Sequence, residues 1–229
     1  MLRKIAFGAL TLLLALFMVG CGDDNASENA TTPKPEGNAD KAVLAYAQLY
    51  AYGIIEDENM AAAGMTEAEV QDIQNQVLTP LVQAFQGYPL SEENVAEILR
   101  QYVAKMHIAM NMKTRVKNDD SKNPVVELTA STVNKEETAT VAEADENLIA
   151  LGVALGQLQS EGFTDEQIKS DPEFQSAAME AINKFLDELP LNAETSIDVP
   201  CEAIKGSDGK MYWAPKNPEA VAKFVSGQN

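Results

Sequence analysis

The chain is poor in the side chains that most enzymes use for catalysis. Its 229 residues include one histidine, two cysteines and one tryptophan. A nucleophile–histidine arrangement therefore has only His107 as its base, and no Gly-x-Ser-x-Gly segment accompanies it. We predict no catalytic residues and no enzymatic activity, and we expect His107 to lie beside the buried stripe of its helix. Roles as a catalytic base or as a metal ligand are the alternatives for this residue.

Positive charge is also scarce. The chain carries 17 Lys and Arg against 35 Asp and Glu, a formal net charge of −18. Phosphates and anionic lipid head groups repel such a protein, so we exclude nucleic acid as a partner. The acidity suits a domain held away from a membrane surface, or a partner that is cationic.

The hydrophobic run near the start is short. It extends from Ile5 to Val19, about fifteen residues, whereas a membrane-spanning helix needs roughly 20. Two basic residues, Arg3 and Lys4, precede the run, and Gly20 and Cys21 follow it. A basic start, an apolar centre and a small residue at the cut are the parts of a secretory signal.

The cysteine that follows this signal resembles the lipobox of bacterial lipoproteins, in which the thiol receives a diacylglycerol before the leader is removed. The resemblance implies lipidation at Cys21 and a membrane as partner through that anchor. It also implies a location on the extracytoplasmic face of the cell membrane, or at the outer membrane if the host has one, because Gly22 is not the aspartate that marks inner-membrane retention. Met18 stands where the family usually has leucine. Ordinary cleavage after Gly20, with secretion, is the alternative.

This interpretation divides the chain into three segments. Residues 1–20 form a lipoprotein signal peptide, and 21–38 form a lipidated cysteine with an acidic, disordered linker that has too few apolar residues to order itself. Residues 39–229 form a single globular domain. Removal of the leader changes the formal net charge to −20. With Cys21 lipidated, Cys201 has no disulfide partner, and its place in an alternating strand predicts a buried thiol rather than a reactive one.

Hydrophobic spacing predicts an α+β fold that is rich in helix. Helical spacing begins at Ala39, and capping signals at Thr66 and Ser91 open two further helices. A strand is expected over 124–134, helices over 140–161 and 171–190 with a short capped segment from Thr164, strands over 194–204 and 210–214, and a last helix from Asn217. The order ααα-β-αα-ββ-α favours helices packed on one face of a small antiparallel sheet.

Several of these features together resemble a family of uncharacterised bacterial surface lipoproteins. They are the lipobox, the acidic linker, the Gly-Met-Thr-Glu-Ala-Glu segment at 64–69 and the closing hairpin with Asp-Gly-Lys-Met-Tyr-Trp at 208–213. The fold of that family is likened to the cystatin or nuclear-transport-factor-like cone. The resemblance implies a fold and a location, and no catalytic residue.

Other patterns have a structural explanation and a functional alternative. Met106, Met110 and Met112 predict core packing, with a copper(I) site as the alternative. The acidic clusters at 56–59 and 118–121 predict solvated loops, with calcium as the alternative. Gly152 and Gly156 predict close packing of their helix against a neighbour. A set of aromatic residues predicts core, with a ligand cavity as the alternative: Tyr46, Tyr50, Tyr52, Phe85, Tyr88 and Tyr102.

We therefore expect no cofactor and no metal. We predict a lipid-anchored, extracytoplasmic binding or interaction module, whose small-molecule or protein partner the sequence does not name. The alternative is an envelope enzyme of the isomerase or hydrolase type that uses a buried carboxylate in a cone-like cavity.

Overall fold

The structure is a computed structural model that describes residues 35, 37–85, 88–118, 120 and 122–228. The predicted leader, Cys21 and nearly all of the predicted linker lie outside these residues. Within them the helices are α1 (Ala39–Tyr52), α2 (Asp57–Ala63), α3 (Glu67–Phe85), α4 (Glu92–Met110), α5 (Lys135–Ala144), α6 (Glu146–Ser160), α7 (Asp165–Lys169), α8 (Pro172–Asp187) and α9 (Pro218–Val225). The strands are β1 (Lys113–Asn118), β2 (Val125–Ala130), β3 (Thr195–Lys205) and β4 (Met211–Pro215).

The four strands form one antiparallel sheet in the order β1-β2-β3-β4. Val126 of β2 pairs with Val199 of β3, and both side chains are buried on the inner face. Helix α1 packs against β1, β2 and β4 and against α9. Its Ala42 and Ala45 are fully buried, since small side chains allow a helix to approach a sheet closely. The predicted α+β class, with helices on a small antiparallel sheet, is confirmed.

Two hydrophobic clusters form the core. The first joins α1 to the inner face of the sheet and to α9. The second lies among α4, α7 and α8, and leucines of α6 pack against it. Helix α4 takes part in both clusters, because Ile98 belongs to the second whereas Met106 and Met110 belong to the first.

The helix starts predicted from capping residues are confirmed. Ser91 accepts a hydrogen bond from the Asn94 N–H, and Asp171, just before Pro172, accepts bonds from the N–H groups of Glu173 and Phe174. Thr66 with Glu69, and Thr164 with Gln167, form reciprocal capping boxes. These signals involve residues within four positions of one another, so the sequence alone is enough to read them.

The predicted element order is wrong in three places. Strand β1 is absent from the prediction, because it is an edge strand with three exposed basic residues and no alternating buried face. Helix α2 occupies part of the acidic segment that was expected to be a loop. The helix expected over 140–161 is two helices divided at Asp145, whose extended backbone and side-chain bond to the Leu148 N–H begin α6.

The prediction for Gly152 and Gly156 is also wrong. A Cβ placed on either glycine would meet nothing within 4 Å. The leucines of α6 face the second cluster, whereas Ile149 and Val153 are 43% and 52% exposed on the same side as the glycines. A different glycine, Gly64, does have a close neighbour. A Cβ placed on it would lie 2.2 Å from the ring of Tyr212.

The outer face of the sheet carries paired charges. Arg115 of β1 binds Glu127 of β2 at 2.9 Å, and Lys117 binds Asp198 of β3 at 2.9 Å. Lys113 lies 3.3 Å from Glu194 just before β3. This face is therefore solvated, and the sheet has one apolar side. Among the described residues, no helix is both long enough and apolar enough to cross a membrane.

Candidate functional site

His107 lies in the last turn of α4, next to the core rather than in it. Its neighbour Met106 is 1% exposed, whereas the His107 side chain is 48% exposed. Helix α4 ends at Met110, and Asn111 adopts a left-handed conformation (φ 46°) that turns the chain toward β1. The predicted position beside the buried stripe is confirmed.

The end of α1 meets this turn of α4. The Tyr52 hydroxyl lies 2.9 Å from Nδ1 of His107, and the two rings pack edge to face with centroids 5.8 Å apart. Tyr52 is only 2% exposed. The contact therefore holds one nitrogen of the imidazole inside the fold and leaves the opposite edge of the ring facing outward.

A polar network continues from this pair to α2. Oε1 of Glu56 lies 3.8 Å from Nε2 of His107, and Oε2 of Glu56 accepts a hydrogen bond from the Asn59 side chain. Asn59 also donates to Gln48, and both of these amides are buried. With a carboxylate beside Nε2, the imidazole is best oriented with a proton on Nε2, so that the Tyr52 hydroxyl donates to Nδ1.

Burial raises the pKa of Tyr52 well above its usual value, the negative charge of Glu56 raises it further, and a hydrogen bond from Gln48 opposes the two in part. The phenol therefore keeps its proton. Because the hydroxyl is inside the fold, Tyr52 orients His107 and is not placed to attack a substrate.

These residues form the floor of an open pocket of about 340 Å³. Its polar lining comes from Gln48, Glu56, His107 and Asn111, and its apolar lining from Leu44, Tyr52, Ile108 and Met112. Ile108 is 78% exposed at the rim. No Lys or Arg is among the lining residues in the described part of the chain.

The other predicted residues lie apart from this pocket or in its wall. Met106 and Met110 are core residues, and Met112 packs against the same cluster, so the core-packing prediction is confirmed. Cys201 is free and fully buried, as predicted, and burial raises its pKa to about 12. Among the described residues, no group of three or more His, Cys, Asp or Glu converges on a point.

The aromatic set is divided among several places. Tyr52 lines the His107 pocket, and Tyr46 lines a smaller cleft of about 170 Å³ beside the β3–β4 hairpin. Tyr50 and Tyr102 pack against the first cluster and Tyr88 against the second, while the side chain of Phe85 lies outside the description. Of the acidic clusters, Glu56 lies at the pocket and Asp120 closes a turn by accepting bonds from the Lys122 and Asn123 N–H groups.

The partners of His107 were missed in the sequence. Glu56 and Tyr52 are 51 and 55 positions away from it, with no motif to join them. A usable signal is the end of the first helical pattern at Tyr52-Gly53, which places Tyr52 at a helix terminus. The sequence does not indicate that this terminus meets the end of α4.

A four-stranded antiparallel sheet with helices on one face and a small surface pocket defines the structural class. The chain is similar to part of the crystal structure of YcdA from Bacillus subtilis, by name a putative lipoprotein, with a TM-score of 0.46 and 14% sequence identity. The match covers 83% of this chain and 55% of YcdA, so this chain spans little more than half of that protein. No protein family matches the sequence, and no curated protein matches it.

Proposed function

We propose that this chain is a lipid-anchored lipoprotein of the bacterial cell envelope whose folded part binds a ligand or partner and catalyses no reaction. The observation that carries the proposal is the run from Arg3 to Cys21, in which basic residues, a short apolar segment, Gly20 and a cysteine follow in order. The acyl chains on Cys21, palmitate among them, hold the protein on the extracytoplasmic face of its membrane. In a host with an outer membrane, Gly22 in place of the aspartate that marks inner-membrane retention allows transfer to the outer membrane.

The fold supports the resemblance to the cystatin-like cone. Helix α1 precedes the strands and packs on the inner face of an antiparallel sheet, and this arrangement supports that resemblance. The inner face is filled by the side chains of the first cluster. A ligand therefore binds at the surface, where the His107 pocket opens, and not in the interior of a cone.

The geometry at His107 favours binding over catalysis. Tyr52 is buried and protonated, so it is a support for the imidazole. Glu56 is 49% exposed, whereas the alternative of an isomerase or hydrolase calls for a carboxylate in an apolar cavity. A half-exposed carboxylate beside an imidazole offers a ligand hydrogen bonds and negative charge.

The anchor is tested by metabolic labelling with an alkyne analogue of palmitate in a bacterial host, followed by fractionation. We expect wild type to carry the label in the membrane fraction and Cys21→Ala to lose both label and membrane association. Cys201→Ala is the matched control and should keep both. Unlabelled wild-type protein in the medium would instead indicate ordinary secretion.

Catalysis is tested separately with the purified chain and a panel of envelope esters, peptides and glycans. We expect no turnover. Turnover that disappears in His107→Ala, while the fold is retained, would replace the binding module with an enzyme.

A further inference from the structure

The His107 pocket gathers several sources of negative potential. Two helices end at it, α1 at Tyr52 and α4 at Met110, and the carboxyl end of a helix carries partial negative charge. Neither last turn contains Lys or Arg, and His107 is the basic residue of the second. Glu56 adds a full charge at the floor.

The floor presents Oε1 of Glu56 as an acceptor to a ligand. Nε2 of His107 and Oε1 of Glu56 are 3.8 Å apart, too far for a direct hydrogen bond. A positively charged N–H group on the solvent side of this oxygen can donate to the Glu56 carboxylate. Asn111, whose side-chain amide donates to Glu194 at 3.4 Å, adds a polar side chain to the pocket wall.

The walls are apolar on the outward side. Leu44 and Met112 are half-buried, and Ile108 stands 78% exposed beside the charged floor. An isoleucine with this exposure is covered when a ligand carries an apolar body next to its charge. The pocket of about 340 Å³ has room for a short alkyl chain or for one side chain of a peptide.

We infer that this pocket binds a cationic group joined to a short apolar chain, that is, an alkylammonium compound of small-molecule size. The inference rests on the proposed function as a binding module and names the class of its ligand. The ammonium lies on the solvent side of Oε1 of Glu56, away from the Nε2 proton of His107, and the apolar chain lies along Ile108 and Met112. An anionic ligand of the same shape is rejected by Glu56 and by both helix ends.

The test uses the full chain in a non-ionic detergent at about pH 8, where an alkylamine keeps its proton. Because His107 is the only histidine, its imidazole signals in an NMR spectrum report on the pocket without further assignment. The probes are n-hexylamine, 1-hexanol and hexanoate, which share a chain and differ in charge. We expect saturable shifts with hexylamine, weaker binding of the uncharged 1-hexanol and no saturable shift with hexanoate. Propylamine, a fourth probe with a shorter chain, should bind about tenfold more weakly than hexylamine.

Two variants locate the site. Glu56→Gln should weaken hexylamine binding about three- to tenfold, whereas Glu202→Gln, which removes the same charge from the outer face of the sheet, should leave it unchanged. Ile108→Lys should weaken it more than tenfold, with Val153→Lys on α6 as its control. Ile108 and Val153 are both exposed, so neither variant disturbs the core.

Equal binding of hexanoate, or equal weakening by Glu56→Gln and Glu202→Gln, would overturn the inference and leave only general attraction of cations to an acidic protein. The result of the hexylamine test does not depend on whether Cys21 is lipidated. Loss of hexylamine binding leaves the labelling of Cys21 unaffected, and failure of that labelling leaves the pocket measurement intact.

Discussion

The hydroxyl of Tyr52 lies 2.9 Å from Nδ1 of His107 and joins the ends of α1 and α4. We expect Tyr52→Phe to lower the free energy of unfolding by about 1 kcal/mol, because a partly buried hydrogen bond is lost and Nδ1 of His107 is left without this partner. The ¹⁵N signals of the imidazole should also move, since Nδ1 loses its donor. Tyr102→Phe, the same substitution at a tyrosine of α4, should leave those signals in place. Unchanged ring signals in Tyr52→Phe would contradict the contact.

Gln175 is the most connected of the buried side chains described. Its Oε1 accepts from the Ser91 N–H and from Asn94, and its Nε2 donates to the carbonyls of Pro89 and Ile168. Gln175→Leu keeps most of the volume and removes these bonds from the Ser91 N–H and the Pro89 carbonyl, whereas the Ile168 carbonyl still accepts from the Asp171 N–H. We expect a loss of about 2–4 kcal/mol in denaturant unfolding. Gln71→Leu, on the exposed face of α3, is the control and should change the free energy of unfolding by less than about 0.5 kcal/mol.

Two glycine-to-alanine changes should act with opposite signs. Gly64 has a φ of 62°, and its Cβ would meet the Tyr212 ring, so Gly64→Ala should cost at least about 2 kcal/mol. Gly152 is helical and faces open space, so Gly152→Ala should stabilise by about 0.5–1 kcal/mol. Thermal unfolding measures both. A destabilised Gly152→Ala would mean that something packs on that face in solution.

The buried thiol of Cys201 should make stability depend on pH in the alkaline range. Burial raises its pKa from 9.0 to about 12 in the folded protein. Between these values the folded state keeps a proton that the unfolded state has lost, so stability falls as pH rises. The contribution is complete below about pH 9 and declines by up to about 1.4 kcal/mol per pH unit above it.

Unfolding by urea at a series of pH values measures this slope. Burial also raises the pKa of Tyr46 and of Tyr102 from 10.0 to about 12, so the tyrosines add to the slope only above about pH 10. Cys201→Ala should therefore reduce the fall in the free energy of unfolding between about pH 9 and 10. The steeper fall above about pH 10, which comes from the tyrosines, should remain. An identical slope in the variant would show that the thiol titrates normally.

The fold class could be predicted because its signals are local. Ser91, Asp171 and Asn217 each bind N–H groups within three residues, so a short window of sequence contains the whole interaction. Strand β1 could not be predicted in this way. It is held by pairing with β2, and its own side chains are almost all exposed.

The candidate site could be predicted only in part. The sequence places His107 at the edge of a buried stripe, which is correct. It does not bring Tyr52 and Glu56 to the two sides of the ring, because that depends on how α1 and α2 pack against α4. The exposed glycines of α6 show the converse error, in which a local pattern suggested a packing contact that the tertiary arrangement does not make.

The charged outer face of β1 also governs how separate copies meet. An edge strand offers unpaired backbone groups to any other strand, and lysine or arginine side chains along it discourage such joining. Lys113, Arg115 and Lys117 alternate along this edge, with Val116, 39% exposed, as the apolar exception. Copies of the protein at high local concentration should therefore resist sheet-to-sheet aggregation. A change of Arg115 to valine beside Val116 should weaken this protection and make edge-to-edge pairing of copies easier.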